Sequence, residues 1–369
     1  MRISRLLLRD FRSYEHLAVE AGAELTVFVG PNASGKTNAL EAVQLLTAGR
    51  SFRNPDWSDV VRSGAETSVA LIETRSDEDR QGEVRLEIAG GARRYSVDGK
   101  AVRRVSDLSG RLPAVAFTPD DLWLVKGPAE RRRAALDDLG GQLAPAYAAA
   151  AREYSRALRQ RNALLKETNP PDALTAPLED LLAEAGGRLV EYRVRLLRRI
   201  AERAAEAHEE IAEERLEFGY SEREGLGRDP METGVDAAEA AEAIRREIRR
   251  RRPEEAARRT TLVGPHRDDV SVRIGGREAR SHASQGQQRS SVLAWKLAEV
   301  AVVEDVTGRS PVLLLDDVMS ELDERRREAL TSLVRRNAQT FVSTTNLGYF
   351  SAGLLERARI VEVPGGCET

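Results

Sequence analysis

The sequence predicts an α/β fold whose mixed sheet, partly an antiparallel meander, is built from both ends of the chain and interrupted by an all-helical lobe. Two observations predict it. Strand-like and helix-like segments alternate before residue 127 and again after residue 260. Between them alanine, leucine, arginine and glutamate dominate, and strand-like runs disappear. We therefore expect an N-terminal part at 1–127, a helical insertion at 128–259 and a C-terminal part at 260–369.

The composition is typical of a folded intracellular protein. Of the 369 residues 41% are hydrophobic and 32% are charged, which excludes a wholly disordered chain. Fifty-seven basic and 60 acidic residues give a net charge of −3, which argues neither for nor against a nucleic-acid partner. The single cysteine, Cys367, excludes a disulfide framework. Because the sequence shows neither a signal peptide nor an apolar run of about 20 residues, we expect a cytoplasmic protein without a membrane partner.

The N-terminal part begins with strand signals. The runs ISRLLLRDF and ELTVFVG predict two strands, and a helix is expected from about residue 35 to 48. From residue 67 to 99 apolar and polar residues alternate in three runs, and Asp98-Gly99 is a typical hairpin turn. This stretch therefore predicts the antiparallel meander.

The central part carries a helical period. Apolar residues at 143–158 and at 174–200 recur every three or four positions, which predicts two amphipathic helices separated by the breaker at 167–177. A third helix is expected at about 236–256. We expect a helical hairpin packed on itself, because a protruding coiled coil needs more heptads than these pieces supply.

The C-terminal part again alternates. The runs VSVRIGG, PVLLLDD, TFVSTTN and ARIVEVPG predict strands, and a helix is expected from about 287 to 307. Strands that alternate with helices favour a mostly parallel sheet.

A phosphate-binding loop follows the strand LTVFV. Its pattern G-x-x-x-x-G-K-[ST] is formed by Gly30, Pro31, Asn32, Ala33, Ser34, Gly35, Lys36 and Thr37. Glycines let backbone N–H groups surround a phosphate, and the N-terminus of the following helix adds partial positive charge. Lys36 is expected to bridge the β- and γ-phosphates of a nucleotide, and Thr37 is expected to hold Mg²⁺.

Two acids end the strand VLLLDD. Because an apolar strand of this kind is buried in the sheet, its C-terminal end is expected to open beside the phosphate loop. Asp316 is then a second Mg²⁺ ligand, and Asp317 is a candidate base that accepts a proton from the attacking water. Taken alone, the pair is equally compatible with an ordinary strand end carrying two solvated acids.

A second anion-binding surface is expected at SQGQQR, residues 284–289, which precede a helix and which we call the signature segment. A single subunit needs one such surface, whereas two facing subunits use both. Ser284, the Gly286 backbone and Gln287 of one copy are therefore expected to reach the γ-phosphate held by Lys36 of another. A simple helix cap by Ser284 explains the same residues.

Together these segments resemble the SMC/ABC-type ATPases, and within them the RecF family of DNA replication and repair proteins. The resemblance rests on RDFRSY, GPNASGKTNALEAVQLL, SQGQQR, LLLDD and SELD, with GRSFR, TPDDL, GPAERRRAALD and GPHRDD in support. It implies an ABC/SMC-type head, bound ATP and Mg²⁺, and Ser284 as signature serine. It also implies that Asp317 replaces the usual glutamate base and that SELD, residues 320–323, is the D-loop.

The resemblance further implies DNA binding, an ATP-dependent homodimer, RecR and RecO as partners in loading recombinase at gapped DNA, and a role in the SOS response. The chain departs from the family pattern in three places. Ala33 stands where glycine is usual, and we expect it in an α-region conformation. TPDDL lacks the Q-loop glutamine that would contact Mg²⁺. Thr344-Thr345-Asn346 replaces a switch histidine, and because neither threonine nor asparagine accepts a proton near neutral pH, we expect slow hydrolysis.

Arginine clusters are the candidate DNA contacts, because a phosphate backbone attracts basic side chains without regard to sequence. They are Arg131–Arg133, Arg193 with Arg195, Arg198 and Arg199, and Arg249–Arg252. Solvated helix faces paired with glutamates explain each cluster equally well. For His266 in GPHRDD we expect a hydrogen-bonded structural role. The alternative functions are the ATPase subunit of a membrane transporter and a DNA clamp for which turnover is irrelevant.

Overall fold

A computed structural model describes residues 1–53, 55–76, 78–103, 105–108, 110–167, 172–221, 226, 228–336 and 339–363. Cys367 and residues 168–171 of the predicted breaker lie outside this part of the chain. The chain divides into two compact units. The first contains residues 1–121 and 299–369, and the second contains residues 122–298.

The first unit contains two sheets. One is antiparallel, with strand order β2-β1-β4-β5-β6-β7. Its strands are β1 (Arg2–Phe11), β2 (Tyr14–Glu20), β4 (Thr67–Arg75), β5 (Gln81–Ala89), β6 (Ala92–Val97) and β7 (Lys100–Val102). The other is entirely parallel, with order β14-β3-β13-β12-β8. Its strands are β3 (Leu25–Val29), β8 (Ala114–Phe117), β12 (Val312–Asp316), β13 (Thr340–Thr344) and β14 (Ala358–Glu362).

Helix α1 (Lys36–Thr47) contacts strands of both sheets, and its residues from Ala39 to Thr47 are all buried. This position explains why most of the residues from Ala39 to Thr47 are apolar. Three further α-helices lie in the described part of the first unit: α2 (Trp57–Val60), α11 (Glu324–Arg335) and α12 (Ala352–Leu355). Because β3 feeds α1 directly, the start of α1 lies at the carboxyl edge of the parallel sheet.

The second unit is mainly helical. Its helices are α3 (Trp123–Lys126), α4 (Ala129–Leu143), α5 (Pro145–Leu164), α6 (Asp172–Ala212), α7 (Pro230–Thr233), α8 (Ala237–Arg258), α9 (Ala279–His282) and α10 (Gln285–Thr307), the last of which continues into the first unit. A small antiparallel sheet joins them, formed by β9 (Leu216–Ser221), β10 (Asp269–Ile274) and β11 (Arg277–Glu278). Among the described helices, none combines the length and apolar character that a membrane crossing requires.

Two features of the second unit differ from the sequence-based expectation. The insertion is not all helical, because β9 lies inside the stretch that we expected to lack strands. Six residues with Gly219 among them give a weak strand signal, and pairing with β10 supplies the stabilisation. The pairing of β9 with β10 crosses the predicted boundary at residue 260, and the second compact unit runs from residue 122 to residue 298.

Candidate nucleotide-binding site

The phosphate loop, residues 30–37, connects β3 to α1. Two of its positions have no room for a side chain. A Cβ on Gly30 would lie 2.2 Å from the Val363 carbonyl oxygen, and one on Gly35 would lie 2.7 Å from Ser13 Oγ. Gly35 also has φ +105°, a conformation that favours glycine. A backbone carbonyl beside Gly30, and the Ser13 side chain together with the positive φ at Gly35, therefore favour glycine at these two positions.

Ala33 differs from the expectation. Its φ is +61°, in the left-handed region, instead of the α-region conformation that we predicted. Left-handed backbone costs an alanine about 1 kcal/mol, because its Cβ approaches the following carbonyl oxygen. Ala33 is exposed together with Pro31 and Asn32, so its methyl group meets solvent at the tip of the loop. This strain is the structural consequence of the missing glycine.

Lys36 points back into the loop that precedes it. Its buried ammonium group donates hydrogen bonds to the carbonyl oxygens of Gly30 at 2.9 Å and Pro31 at 2.6 Å. Ser34 is also buried, and its Oγ has no hydrogen-bond partner within the described residues. The loop thus encloses a positive charge and an unsatisfied hydroxyl, and both are suited to phosphate oxygens.

Asp316 is joined to α1 and to the neighbouring strand. Its Oδ1 accepts a 2.7 Å hydrogen bond from the Thr37 hydroxyl and a 2.6 Å bond from the Ser343 hydroxyl. The side chain is 8% exposed. The structure therefore places the predicted pair of metal-binding residues, Thr37 and Asp316, in direct contact.

The Thr37 and Asp316 oxygens fit Mg²⁺. This ion prefers oxygen ligands, and in nucleotide sites it is bound by one or two protein groups together with phosphates and waters. A hydroxyl and a carboxylate at the carboxyl edge of the sheet supply such a pair. Bound Mg²⁺ would neutralise developing charge on the phosphates.

Asp317 follows in a left-handed conformation, with φ +51°. Its backbone N–H donates to Ser343 Oγ at 3.0 Å, which turns the chain sharply at the end of β12. The Oδ1 atom is buried and has no hydrogen-bond partner among the described residues. Burial raises the pKa of this carboxyl, and Asp316 and Glu321 add to the rise while Lys36 opposes it. A carboxylate with a raised pKa is a better proton acceptor than an ordinary aspartate.

The signature segment lies in the second unit at the start of α10. Ser284 is exposed, and its Oγ accepts a hydrogen bond from the Gln287 N–H at 3.2 Å. In return, the Ser284 N–H donates to Gln287 Oε1 at 2.9 Å. These reciprocal bonds form a capping box. The helix-cap role that we considered is therefore present, and it leaves the Ser284 O–H free to rotate and donate.

Thr344 and Asn346, at the expected switch position, are engaged locally. The Asn346 amide oxygen accepts from the Gly348 N–H at 2.8 Å, and Thr344 Oγ1 accepts from the Asn346 N–H at 3.1 Å. In TPDDL, the Asp121 carboxylate accepts from the Thr118 N–H at 2.6 Å. These polar side chains therefore shape their own turns.

A buried carboxylate behind the phosphate loop was missed in the sequence. Glu41 is fully buried one turn after Thr37 and accepts two hydrogen bonds from Arg12, at 2.8 and 3.0 Å. Ser51 donates to it at 2.6 Å, and Arg53 donates at 3.3 Å. An acidic residue between apolar neighbours in the predicted helix was the available signal. This network ties RDFRSY and GRSFR to α1.

Two arginines of the candidate DNA clusters are structural. Arg132 is buried and makes hydrogen bonds of 2.8 and 2.9 Å to Asp269. Arg193 is likewise buried and is paired with Asp137 at 2.7 and 2.8 Å. A buried guanidinium must be paired, so the expectation that these two contact DNA is wrong. In the third cluster, Arg250 and Arg252 pair with glutamates.

Arg198 and Arg199 behave differently. Both are exposed on α6, and within the described part of the chain they form no hydrogen bond or ion pair. With Arg195 and Arg228 they line a groove of about 620 Å³ in the second unit. Glu191 and Glu202 line the same groove. We call this surface the arginine groove.

His266 has the structural role that we expected. Its Nε2 lies 3.2 Å from the Thr261 carbonyl oxygen and its Nδ1 lies 2.5 Å from the Tyr154 hydroxyl. Because a carbonyl only accepts, Nε2 carries the hydrogen and Nδ1 accepts from Tyr154. Burial lowers the pKa of His266 to about 4, so the ring is neutral at pH 7.

Comparison with known proteins supports this picture. The RecF/RecN/SMC N-terminal domain family model matches residues 2–366. The DNA replication and repair protein RecF of Symbiobacterium thermophilum is 41% identical over 352 residues, which cover 94% of this chain and 92% of that protein.

Solved structures show the same fold. The recombination mediator protein RecF with ATPrS, of the RecFOR pathway, superimposes with a TM-score of 0.87 at 29% identity, covering 95% of this chain and 94% of that one. The Smc head domain of Pyrococcus furiosus, bound to the C-terminal domain of ScpA, gives a TM-score of 0.55 at 16% identity, covering 99% and 94%. The predicted SMC/ABC-type head is confirmed.

Proposed function

The chain belongs to the RecF family of DNA replication and repair proteins, and from this premise we propose that it is an ATP-controlled DNA-binding protein. ATP held by the phosphate loop of one copy and by the signature segment of another drives dimerisation on DNA, and slow hydrolysis releases the dimer. The protein acts with RecR and RecO in loading recombinase at gaps, and it supports the SOS response.

The observation that carries the proposal is the cluster of Lys36, Thr37, Asp316 and Asp317 at one edge of the parallel sheet. Lys36 and the loop N–H groups bind the phosphates, and Thr37 and Asp316 hold Mg²⁺. Asp317 accepts the proton of the attacking water, for which its raised pKa is suited. With ATP bound, the Lys36 ammonium exchanges the Gly30 and Pro31 carbonyls for phosphate oxygens.

The signature segment supplies the second half of the site from another copy. Ser284 uses a lone pair of its hydroxyl to cap α10, so its proton remains for the γ-phosphate. The Gly286 N–H belongs to the first turn of the same helix, where backbone donors and the helix dipole favour an anion. Each triphosphate is therefore shared between two subunits.

The phosphate backbone of DNA, in a duplex or at a gapped or single-strand junction, is contacted by arginines that no carboxylate neutralises. Arg198 and Arg199 meet this condition among the described residues, as do Arg131 and Arg249, and the arginine groove is preferred because it brings Arg198 and Arg199 together in one concave surface. A transporter subunit, the alternative function, lacks support from relatives that are described as DNA replication and repair proteins. The clamp alternative predicts that a hydrolysis-dead variant still complements in cells.

Static light scattering of Asp317→Asn with and without ATP tests the proposal. This variant retains the loop, Thr37 and Asp316 but loses the base, so ATP should double its molar mass and the dimer should persist. Lys36→Ala should remain monomeric because it binds no nucleotide. A monomer in every condition for Asp317→Asn, despite measured ATP binding, would contradict the dimer switch.

A further inference from the structure

The C-terminal end of α6 is held beside the signature segment in the second unit. The chain leaves α6 through Glu213, which has φ +57°, and Glu214 follows. The buried His208 ring lies with Nδ1 2.8 Å from the Glu214 carbonyl oxygen, so Nδ1 carries the hydrogen. The next carbonyl, that of Arg215, accepts from the Gly275 N–H at 2.9 Å. The turn is therefore fixed from two sides.

The Glu214 side chain reaches the signature segment. Both of its carboxylate oxygens accept hydrogen bonds from Gln287 Nε2, at 2.8 and 3.2 Å. Because a carboxylate only accepts, this contact fixes the orientation of the amide. Gln287 Oε1 is thereby directed at the Ser284 N–H, to which it is bound at 2.9 Å. The Gln287 amide thus has protein partners at both ends.

We propose that Glu214 is a positioning residue for the signature segment: by holding the Gln287 amide it fixes the turn from which Ser284 reaches the nucleotide of a second copy. Gln287 itself then positions Ser284 instead of binding phosphate. The inference rests on the proposed function, because it gives Glu214 a role only if Ser284 faces a shared nucleotide.

The Glu214–Gln287 hydrogen bond is already formed in the free chain, so its loss weakens association through the cost of ordering the signature segment in the dimer. That cost is at most the energy of a hydrogen bond to a charged group, about tenfold in an equilibrium constant, and a symmetric dimer contains two such segments. Glu214→Ala should therefore weaken ATP-dependent dimerisation by up to about 100-fold. Nucleotide binding by the monomer depends on residues 30–37 and should be unchanged.

The chain offers a reciprocal exchange that tests the contact itself. Gln287→Glu keeps the capping box, because S-x-x-E caps a helix as well as S-x-x-Q does, but it sets two carboxylates against each other. Glu214→Gln then restores an amide–carboxylate pair with its members exchanged. We expect Gln287→Glu to dimerise poorly, and Glu214→Gln with Gln287→Glu to recover most of the affinity.

The experiment measures the dimer dissociation constant of the full chain by analytical ultracentrifugation with ATP, in the Asp317→Asn background. A fluorescent ATP analogue and thermal melting report nucleotide binding and folding. Glu209→Ala is the matched control, since Glu209 is an exposed glutamate near the end of the same helix without a side-chain partner among the described residues. Ser284→Arg tests the proposed function itself, because it blocks the signature segment that is proposed to contact the nucleotide of the second copy.

The outcomes separate the two claims. If Ser284→Arg abolishes dimerisation while Glu214→Ala and the reciprocal exchange behave like Glu209→Ala, Glu214 has no positioning role and this inference is overturned. If Ser284→Arg dimerises normally, the shared site fails and the inference fails with it. Loss in Glu214→Ala with recovery in the exchanged pair supports the inference, because a general structural defect would not be rescued.

Discussion

Thr37 and Asp316 are 279 positions apart in the sequence, yet the Thr37 hydroxyl donates a 2.7 Å hydrogen bond to Asp316 Oδ1. The parallel pairing of β3 with β13 and of β13 with β12 brings the two residues to one edge of the sheet. Residues 122–298, which lie between them, form the second compact unit. A nucleotide site can therefore be assembled from chain ends that an entire unit separates.

Removal of the Thr37 hydroxyl should weaken the binding of Mg²⁺ with ATP. Thr37→Ala is expected to lower the affinity for a fluorescent ATP analogue by about tenfold or more with Mg²⁺ and much less with EDTA, because the hydroxyl acts through the metal. Thr37→Ser keeps the hydroxyl and should bind nearly as wild type. Equal losses with and without Mg²⁺ would show that Thr37 is not a metal-binding residue.

Asp317→Asn should abolish most hydrolysis and slightly stabilise the monomer. A general base contributes roughly 10²–10⁴-fold, so turnover should fall at least about 100-fold. The pKa of Asp317 is higher in the folded chain than in the unfolded chain, so the folded chain binds the proton more tightly. The free energy of unfolding therefore falls as pH rises through the folded-state pKa. Asparagine removes this loss and also tolerates the left-handed backbone at φ +51°.

Because the Asp317 carboxyl is only partly buried, solvent screening keeps this stabilisation small at pH 7. Urea unfolding at pH 7 and below pH 4 measures it, and the gain of Asp317→Asn should shrink on acidification. A variant that is less stable than wild type at pH 7 would contradict the raised pKa.

We expect the arginine groove to contribute more to DNA binding than the paired arginines of the second unit. Arg198→Ala with Arg199→Ala should weaken duplex binding and reduce the slope of log affinity against log salt by about 0.9 for each phosphate contact that is lost. Arg250→Ala with Arg252→Ala removes the same charge from arginines that are already paired with glutamates. Fluorescence anisotropy across a salt series, with ATP present, compares them. Identical slopes of log affinity against log salt for both double variants would exclude the arginine groove as a DNA contact.

His266 should make the protein sensitive to mild acid. Its folded-state pKa of about 4 lies below the ordinary value of 6.5, so the unfolded chain binds the proton more tightly between these values. Stability should therefore fall by about 2 kcal/mol as pH drops from 7 to 5. His266→Gln should lose this pH dependence even if it is less stable throughout. Unchanged pH dependence in the variant would assign the effect to other groups.

The sequence predicted the parts of the fold and site that depend on local pattern. The phosphate loop lies between β3 and α1, as expected. The strand, the glycine turn and the helix each have a recognisable pattern in consecutive residues. The acids at the end of β12 were found because a run of buried aliphatic residues precedes them.

Features that depend on partners distant in the sequence escaped prediction. Arg132 looks like a surface cation in sequence, and Asp269, 137 positions later, makes it structural. Glu214 became noticeable only through its contact with Gln287, 73 positions away. β9 has too few residues for a clear alternation, so its strand character depends on β10. In each case the partner, and not the local pattern, determines the role.

A mixing experiment tests the shared nucleotide site most directly. Lys36→Ala lacks a working phosphate loop but keeps Ser284, whereas Ser284→Arg keeps the loop but blocks the signature segment. Each variant alone should stay monomeric with ATP, as measured by light scattering. An equimolar mixture should form heterodimers with one intact site. A mixture that remains monomeric, or either variant dimerising alone with ATP, would contradict the account.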